Sequence, residues 1–210
     1  MSELITNILT TFTGGHSWII YVLIFLVIFI ETGVVILPFL PGDSVLFLVG
    51  GLAAVPANNL NVFVLFFSLS IAAIIGDFLN FEIGKRFGDT IPKHPKLQKV
   101  LTPARMEDAH NFFEKWGNFA IFIKRFAPFI RTFVPFIAGS SQMTFRKFAW
   151  FNVLGGVCWV AIGVFAGFFF GNIPAVQEHF ELIMIGIIIV SLLPVGIVAL
   201  KNKFNKKDAA

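Results

Sequence analysis

Two stretches of this chain set charges and prolines together inside otherwise apolar runs, a combination that a lipid-exposed helix cannot carry. Phe29 to Asp43 contains Glu31, Pro38, Pro41, Gly42 and Asp43 and no base, whereas Lys124 to Gly139 contains Lys124, Arg125, Pro128, Arg131 and Pro135 and no acid. An ionised side chain at the centre of a bilayer costs at least about 2.5–3.5 kcal/mol. Proline removes a backbone donor where no water can replace the lost bond. Such segments persist only when packed in protein or lining a wet cavity. Both are therefore read as broken, re-entrant hairpins that meet and build a polar site within the membrane.

The membrane itself follows from composition. Of the 210 residues 57% are hydrophobic and 13% charged, with a mean hydropathy of +0.84; a soluble domain carries about 25% charge. The length accommodates a few spans and hairpins and leaves no room for a soluble catalytic domain. The single cysteine, Cys158, excludes disulfides and cysteine-built zinc or iron–sulfur clusters within the chain and reads as a small core hydrophobe. No cofactor and no metal are expected. The start of the chain lacks a positive n-region, so no signal peptide is expected. Because the basic residues fall in a few blocks, they speak to topology and lipid headgroups and not to nucleic acid.

All 16 Lys and Arg lie at or after Lys85. The positive-inside rule then makes the Lys85 to Lys124 connection and the tail from Lys201 cytoplasmic, and Asn172 to Glu181, which has no base, external. The expected fold is all-α and polytopic, with two opposed Pro-broken re-entrant hairpins plus transmembrane helices in an inverted-repeat arrangement. A single membrane domain over 1–210 comprises hairpin 1 at 18–55, a span at 60–83, a basic cytoplasmic loop with an amphipathic helix at 84–117, hairpin 2 at 118–145, spans at 148–171 and 182–200, and a basic cytoplasmic tail at 201–210. The N-terminus is then external. A competing drawing makes Trp18 to Leu37 a full span and puts the N-terminus inside.

In the basic loop Thr102 can N-cap a helix, Pro103 suits its first position, Met106, Ala109, Phe113 and Trp116 repeat on one face, and Gly117 stops it. This helix is either interfacial, lying under the bundle, or a cytoplasmic linker packed on the protein. An internal echo supports a two-fold design: Gly76, Gly84 and Gly88 match Gly155, Gly163 and Gly167 in spacing, and each run is followed by Ile-Pro. Paired Gly/Pro-interrupted segments in an inverted repeat point to a transporter site near the midplane. Close helix packing at small-xxx-small spacing explains Gly84/Gly88 and Gly163/Gly167 equally well.

Glu31 followed by Pro38 and Pro41-Gly42-Asp43, then Gly76-Asp77 with Gly84 and Gly88, then Arg125-x-x-Pro128-x-x-Arg131 with Ala138-Gly139, resembles the DedA family of VTT (SNARE-associated) domain proteins over nearly the whole chain, from about Trp18 to Leu200. The resemblance implies a bacterial cytoplasmic-membrane protein that translocates lipid, as in relatives that move undecaprenyl phosphate, scramble phospholipids or serve proton-linked homeostasis. By motif, Glu31, Asp43, Arg125 and Arg131 correspond to the family's functional acids and arginines. One departure is visible: where the family often has a tyrosine after Gly-Asp, this chain has Phe78, Asn80 and Phe81.

The residues themselves point the same way. Arg125 and Arg131, with Gly42 and Pro128 shaping the two turns, are the expected substrate-binding set, because a guanidinium stays charged and its planar fork matches phosphate oxygens. Glu31 has no capping role to explain it and, with Asp43, is the expected proton-coupling set; Asp43 could instead N-cap the returning helix. Asp77 and Asn80 follow as second-tier residues of the same cavity. Lys124 is expected to snorkel to the cytoplasmic edge; Arg125 fits either that edge or the site. Phe39, Leu40, Phe126, Phe129 and Phe136 are expected to line the pocket or to serve as plain core.

The leading expectation is a transporter for a lipid phosphate, possible partners being membrane lipids and protons, with the oligomeric state open. A proton- or cation-coupled antiporter and a phospholipid scramblase remain alternatives. A membrane phosphatase would need a nucleophile or metal with histidine nearby, and His16, His94, His110 and His179 all fall in flanks or loops, so an enzyme is not expected. An assembly factor whose buried charges only dock helices is a further alternative.

Overall fold

The computed structural model describes residues 17–33, 42–88, 103–127, 130–141, 143–174, 176 and 186. Most of these are helical, and no strand occurs among the described residues. In chain order the helices are α1 (Ser17–Gly33), α2 (Gly42–Ala54), α3 (Val62–Phe87), α4 (Pro103–Trp116), α5 (Ala120–Ile123, with a 3-10 turn at each end), α6 (Phe133–Ser140) and α7 (Phe145–Gly171). The hairpin 1 tip with Pro38 and Pro41, Pro128 at the hairpin 2 tip, and the span expected at 182–200 (save residue 186) lie outside the described residues.

Helices α3 and α7 are long and apolar enough to cross a membrane. At a rise of about 1.5 Å per residue the 26 residues of α3 exceed the roughly 30 Å of bilayer hydrocarbon. Phe63, Phe67, Ile71, Ile75 and Leu79, each four residues on from the last, are all exposed on α3, a continuous apolar stripe suited to lipid. Lys85 and Arg86 occupy the final turn of α3, where they complement the helix dipole. Helix α4 has the bounds expected from sequence, and Gly117, at φ 55°, supplies the left-handed residue that ends it. Its Ala109 is fully buried, with Phe112 and Phe113 packed beside it against the core, so the packed-linker description fits this helix.

The first helical stretch of the 118–145 segment ends just before its first proline. Ala127, directly before Pro128, is extended (φ −116°, ψ 91°), as the proline ring demands of its predecessor. Pro135 falls in the first turn of α6, where a missing N–H costs little.

The chain divides into two compact units. One comprises Trp18–Leu40 and Phe63–Ile162; its core joins Phe81, Ile121, Phe133, Val134, Phe136 and Phe148, with the Phe81 and Phe148 rings stacked at 4.3 Å. The other comprises Met1–Ser17, Pro41–Val62 and Gly163–Ala210. Within each unit, a short helix lies backbone-to-backbone on one of the echoed glycine pairs. A Cβ at Gly84 would stand 2.8 Å from Phe136 Cα of α6. In the other unit, a Cβ at Gly167 would stand 3.0 Å from Phe47 Cα of α2, and one at Gly163 would be 2.7 Å from Leu46 Cβ. The packing role foreseen for these glycines is the one they fill. Replacing Gly84 or Gly167 by leucine should destabilise the protein by about 1–3 kcal/mol or more through overpacking against a backbone that cannot retreat; thermal unfolding in detergent, compared with Leu154→Ala on the exposed face of α7, measures it.

Candidate functional site

Three helices and the broken hairpin of one unit bring their polar residues to one place. On α3, Ala73, Asp77 and Asn80 share the face opposite the lipid stripe, at helical spacing. Gly76 lets α1 come against that face: a Cβ there would meet Phe29 O at 2.9 Å and Gly33 N at 3.0 Å. Glu31 and Thr32 are thereby buried beside Asp77's helix. On α7, Gly155 and Gly156 do the corresponding work for hairpin 2. A Cβ on Gly155 would lie 3.2 Å from Phe122 Cα, and one on Gly156 would lie 3.3 Å from Arg125 Nη2. The glycine at the head of each echoed run thus admits the first arm of a hairpin.

Five charged side chains are buried there: Glu31, Asp77, Lys124, Arg125 and Arg131. Arg131 pairs with Glu31 through Nη2 and Oε1. Lys124 Nζ and Arg125 Nη2 both donate to the same oxygen, Asp77 Oδ2, each at 2.6 Å. Arg125 Nη2 also reaches Asn152 Oδ1 at 3.0 Å and Ala73 O at 3.2 Å, and Asn152 Nδ2 donates to Ile74 O at 3.0 Å. Both guanidiniums lie over the Trp159 indole, at 5.4 Å for Arg125 and 5.7 Å for Arg131, within the range of a cation–π attraction. Asn80 Nδ2 donates to Thr132 O at 2.7 Å and more weakly to Thr32 O at 3.4 Å. It thereby ties the last turn of α1 to the turn that carries Arg131.

Thr32, Asp77, Lys124, Arg125, Arg131, Thr132 and Trp159 line a cavity of about 10 Å³, which has room for about one water. Arg125 Nε and Thr132 Oγ1 are buried without a hydrogen-bond partner among the described residues. A tetrahedral anion is larger than this space, so binding one requires the cluster to open. Among the described residues the cluster sets three basic side chains against two acidic ones, so that with every group ionised it holds one positive charge in excess.

Glu31, Asp77, Asn80, Arg125 and Arg131 are assembled as the sequence suggested. Gly42 and Asp43 belong to the other unit, where they open α2; Gly42 is buried and Asp43 is exposed in the first turn, a position that favours an acid through the helix dipole. Pro128, Phe39, Leu40 and Phe129 lie outside the described residues. Lys124 is corrected: it does not snorkel but is 2% exposed, because the carboxylate of Asp77 compensates it inside. Of the phenylalanines expected to line the pocket or serve as plain core, Phe136 takes the core role, whereas Phe126 is exposed and takes neither. Trp159 and Asn152 were not singled out from sequence; the available signal was their place one turn to either side of the Gly155-Gly156 pair.

Residues 40–169 match the VTT domain family. Protein DedA of Escherichia coli is 44% identical over 191 residues, covering 91% of this chain and 87% of that protein. A membrane protein of Mycobacterium tuberculosis is 40% identical over 186 residues, 89% of this chain and 81% of its own. The inner membrane protein YqjA of Escherichia coli is 34% identical over 166 residues, 79% and 74% respectively. No solved structure matches the chain.

Removing Asp77 would leave two buried cations without their shared carboxylate. Asp77→Ala should cost about 3–5 kcal/mol of stability, and adding Lys124→Met should restore part of it by removing one of the two charges. Thermal unfolding of both variants in detergent is the measurement.

Proposed function

Because this chain belongs to the DedA family of VTT-domain membrane proteins, found in the bacterial inner membrane, we propose that it translocates a lipid phosphate of the undecaprenyl phosphate type across that membrane. The observation that carries this reading is Arg131, a buried guanidinium whose ion-pair partner is the exchangeable carboxylate of Glu31. A phosphate headgroup offers that guanidinium anionic oxygens in its place. Carboxylate and phosphate then alternate as partners of one arginine, and Trp159 keeps the guanidinium stacked during the exchange. Protonating Glu31 removes the competitor, so headgroup capture strengthens as pH falls. Three basic side chains against two acidic ones support an anionic cargo over the cation of an antiporter.

The matched glycines support the inverted-repeat reading. Gly76 and Gly155 each admit the first arm of a hairpin; Gly84 and Gly167 each receive the second arm of the other hairpin. In this drawing the two hairpins are opposed re-entrant elements, with the N-terminus external and the basic tail cytoplasmic.

Labelled undecaprenyl phosphate in proteoliposomes tests the function. Arg131→Ala removes a charge-assisted contact of about 1.5–3 kcal/mol and should slow translocation by about tenfold to a hundredfold. Glu31→Gln should weaken the dependence of the rate on pH. Both variants moving the lipid as fast as the wild type, with an unchanged pH profile, would rule the reading out. A rate that ignores an imposed pH gradient would mark the movement as passive scrambling.

A further inference from the structure

Lys124 is the one buried lysine among the described residues, and the exchange at Arg131 leaves it without a task. It lies beside Arg125 in sequence and shares a single acceptor with it: Nζ and Nη2 each stand 2.6 Å from Asp77 Oδ2. The charged groups around it come from several elements. Asp77 faces it from α3, Arg125 from its own turn, and Arg131 with Glu31 from the same cavity and from α1. Helix α7 contributes only the uncharged Asn152 and Trp159, and its Arg146 and Lys147 are exposed. On α4, Glu107, Asp108, His110, Glu114 and Lys115 are all exposed as well.

Arginine holds its proton at any working pH, so of the two bases that share Asp77 Oδ2 the amine is the one that can give its proton up. With Lys124 neutral, the buried cluster balances two cations with two carboxylates; with Lys124 protonated it carries one uncompensated positive charge in a low-dielectric interior, a costly state. The neutral amine can still donate an N–H to Asp77, so the 2.6 Å contact survives either way. An arriving phosphoryl anion reverses the preference by supplying the missing negative charge.

We propose that Lys124 is a proton-exchanging group coupled to headgroup binding: its lone pair accepts one proton from the aqueous phase when a phosphoryl anion enters the cluster and returns it when the anion leaves. This rests on the headgroup site proposed above and adds a second titrating position to Glu31. A cargo anion would thus travel with a proton even in a protein that lacks the Glu31 carboxylate.

The test uses short-chain phosphatidylglycerol, a phosphodiester whose single charge does not titrate over the working range, added to the purified full-length protein in detergent. Binding is followed by calorimetry against pH and in two buffers of different ionisation enthalpy, which counts protons taken up. One linked proton makes affinity fall by up to about tenfold per pH unit as pH rises. Glu31→Gln should keep a falling profile; Glu31→Gln with Lys124→Arg, locked positive, should bind with a flat profile and lose the proton uptake. Glu31→Gln with Lys124→Met, locked neutral, should be flat at the weak, high-pH level, which keeps the test intact if the arginine variant does not fold. A slope or proton uptake that survives both Lys124 substitutions overturns the proposal while leaving the headgroup site standing. Absence of binding to the wild type at every pH overturns both. Inorganic sulfate, also of fixed charge, serves as the headgroup-free arm: a linked response to sulfate and lipid alike supports the coupling, and a response to sulfate without one to the lipid overturns the lipid assignment.

Discussion

One carboxylate oxygen, Asp77 Oδ2, compensates two cations in an interior that offers them no water. Without it the turn carrying Lys124 and Arg125 would have no reason to enter the protein, since each charge there loses several kcal/mol of hydration. With it, that turn is drawn against α3, and the chain beyond Ala127 is delivered to Arg131 and its partner Glu31. Asn80 and Asn152 then satisfy backbone carbonyls of the elements so joined. The polar network is therefore also the device that fixes the turn of Lys124 and Arg125 in place, where a hydrophobic contact alone would tolerate sliding.

The network needs helices closer than side chains ordinarily permit. Gly76 and Gly33 let α1 and α3 touch through their backbones, and Gly155 and Gly156 give Phe122 and Arg125 a surface without Cβ atoms. In a bilayer, where burial of apolar surface gives little drive for helices to associate, such close van der Waals contact is the main alternative to hydrogen bonding. Small residues and buried charges thus act together: the former bring the backbones near, and the latter set the register.

Much of this arrangement is legible in the chain. Proline placement locates the break after Ala127, capping and glycine signals delimit α4 from Pro103 to Trp116, and opposite-sign blocks foretell that acids of the first stretch meet arginines of the second. What stays hidden is which acid serves which base. Asp77 is separated from Lys124 and Arg125 by 47 and 48 residues, and no local pattern encodes that pairing. Lys124 reads as a boundary residue because a lysine beside an arginine at the end of a basic loop has the look of a cytoplasmic flank; only its three-dimensional partner distinguishes it. Trp159 escapes notice for a similar reason, since a tryptophan in an apolar helix carries no mark of the two guanidiniums it will face.

The smallness of the chamber among these charges has a consequence for the cell. A space of about 10 Å³ admits a single solvent molecule and not a file of them, so this cluster offers no ready wire for protons while it is idle. For the carrier proposed above this means insulation at rest: the gradient across the membrane would be drawn upon only during turnover, and many copies could stand in place without leaking the cell's energy store.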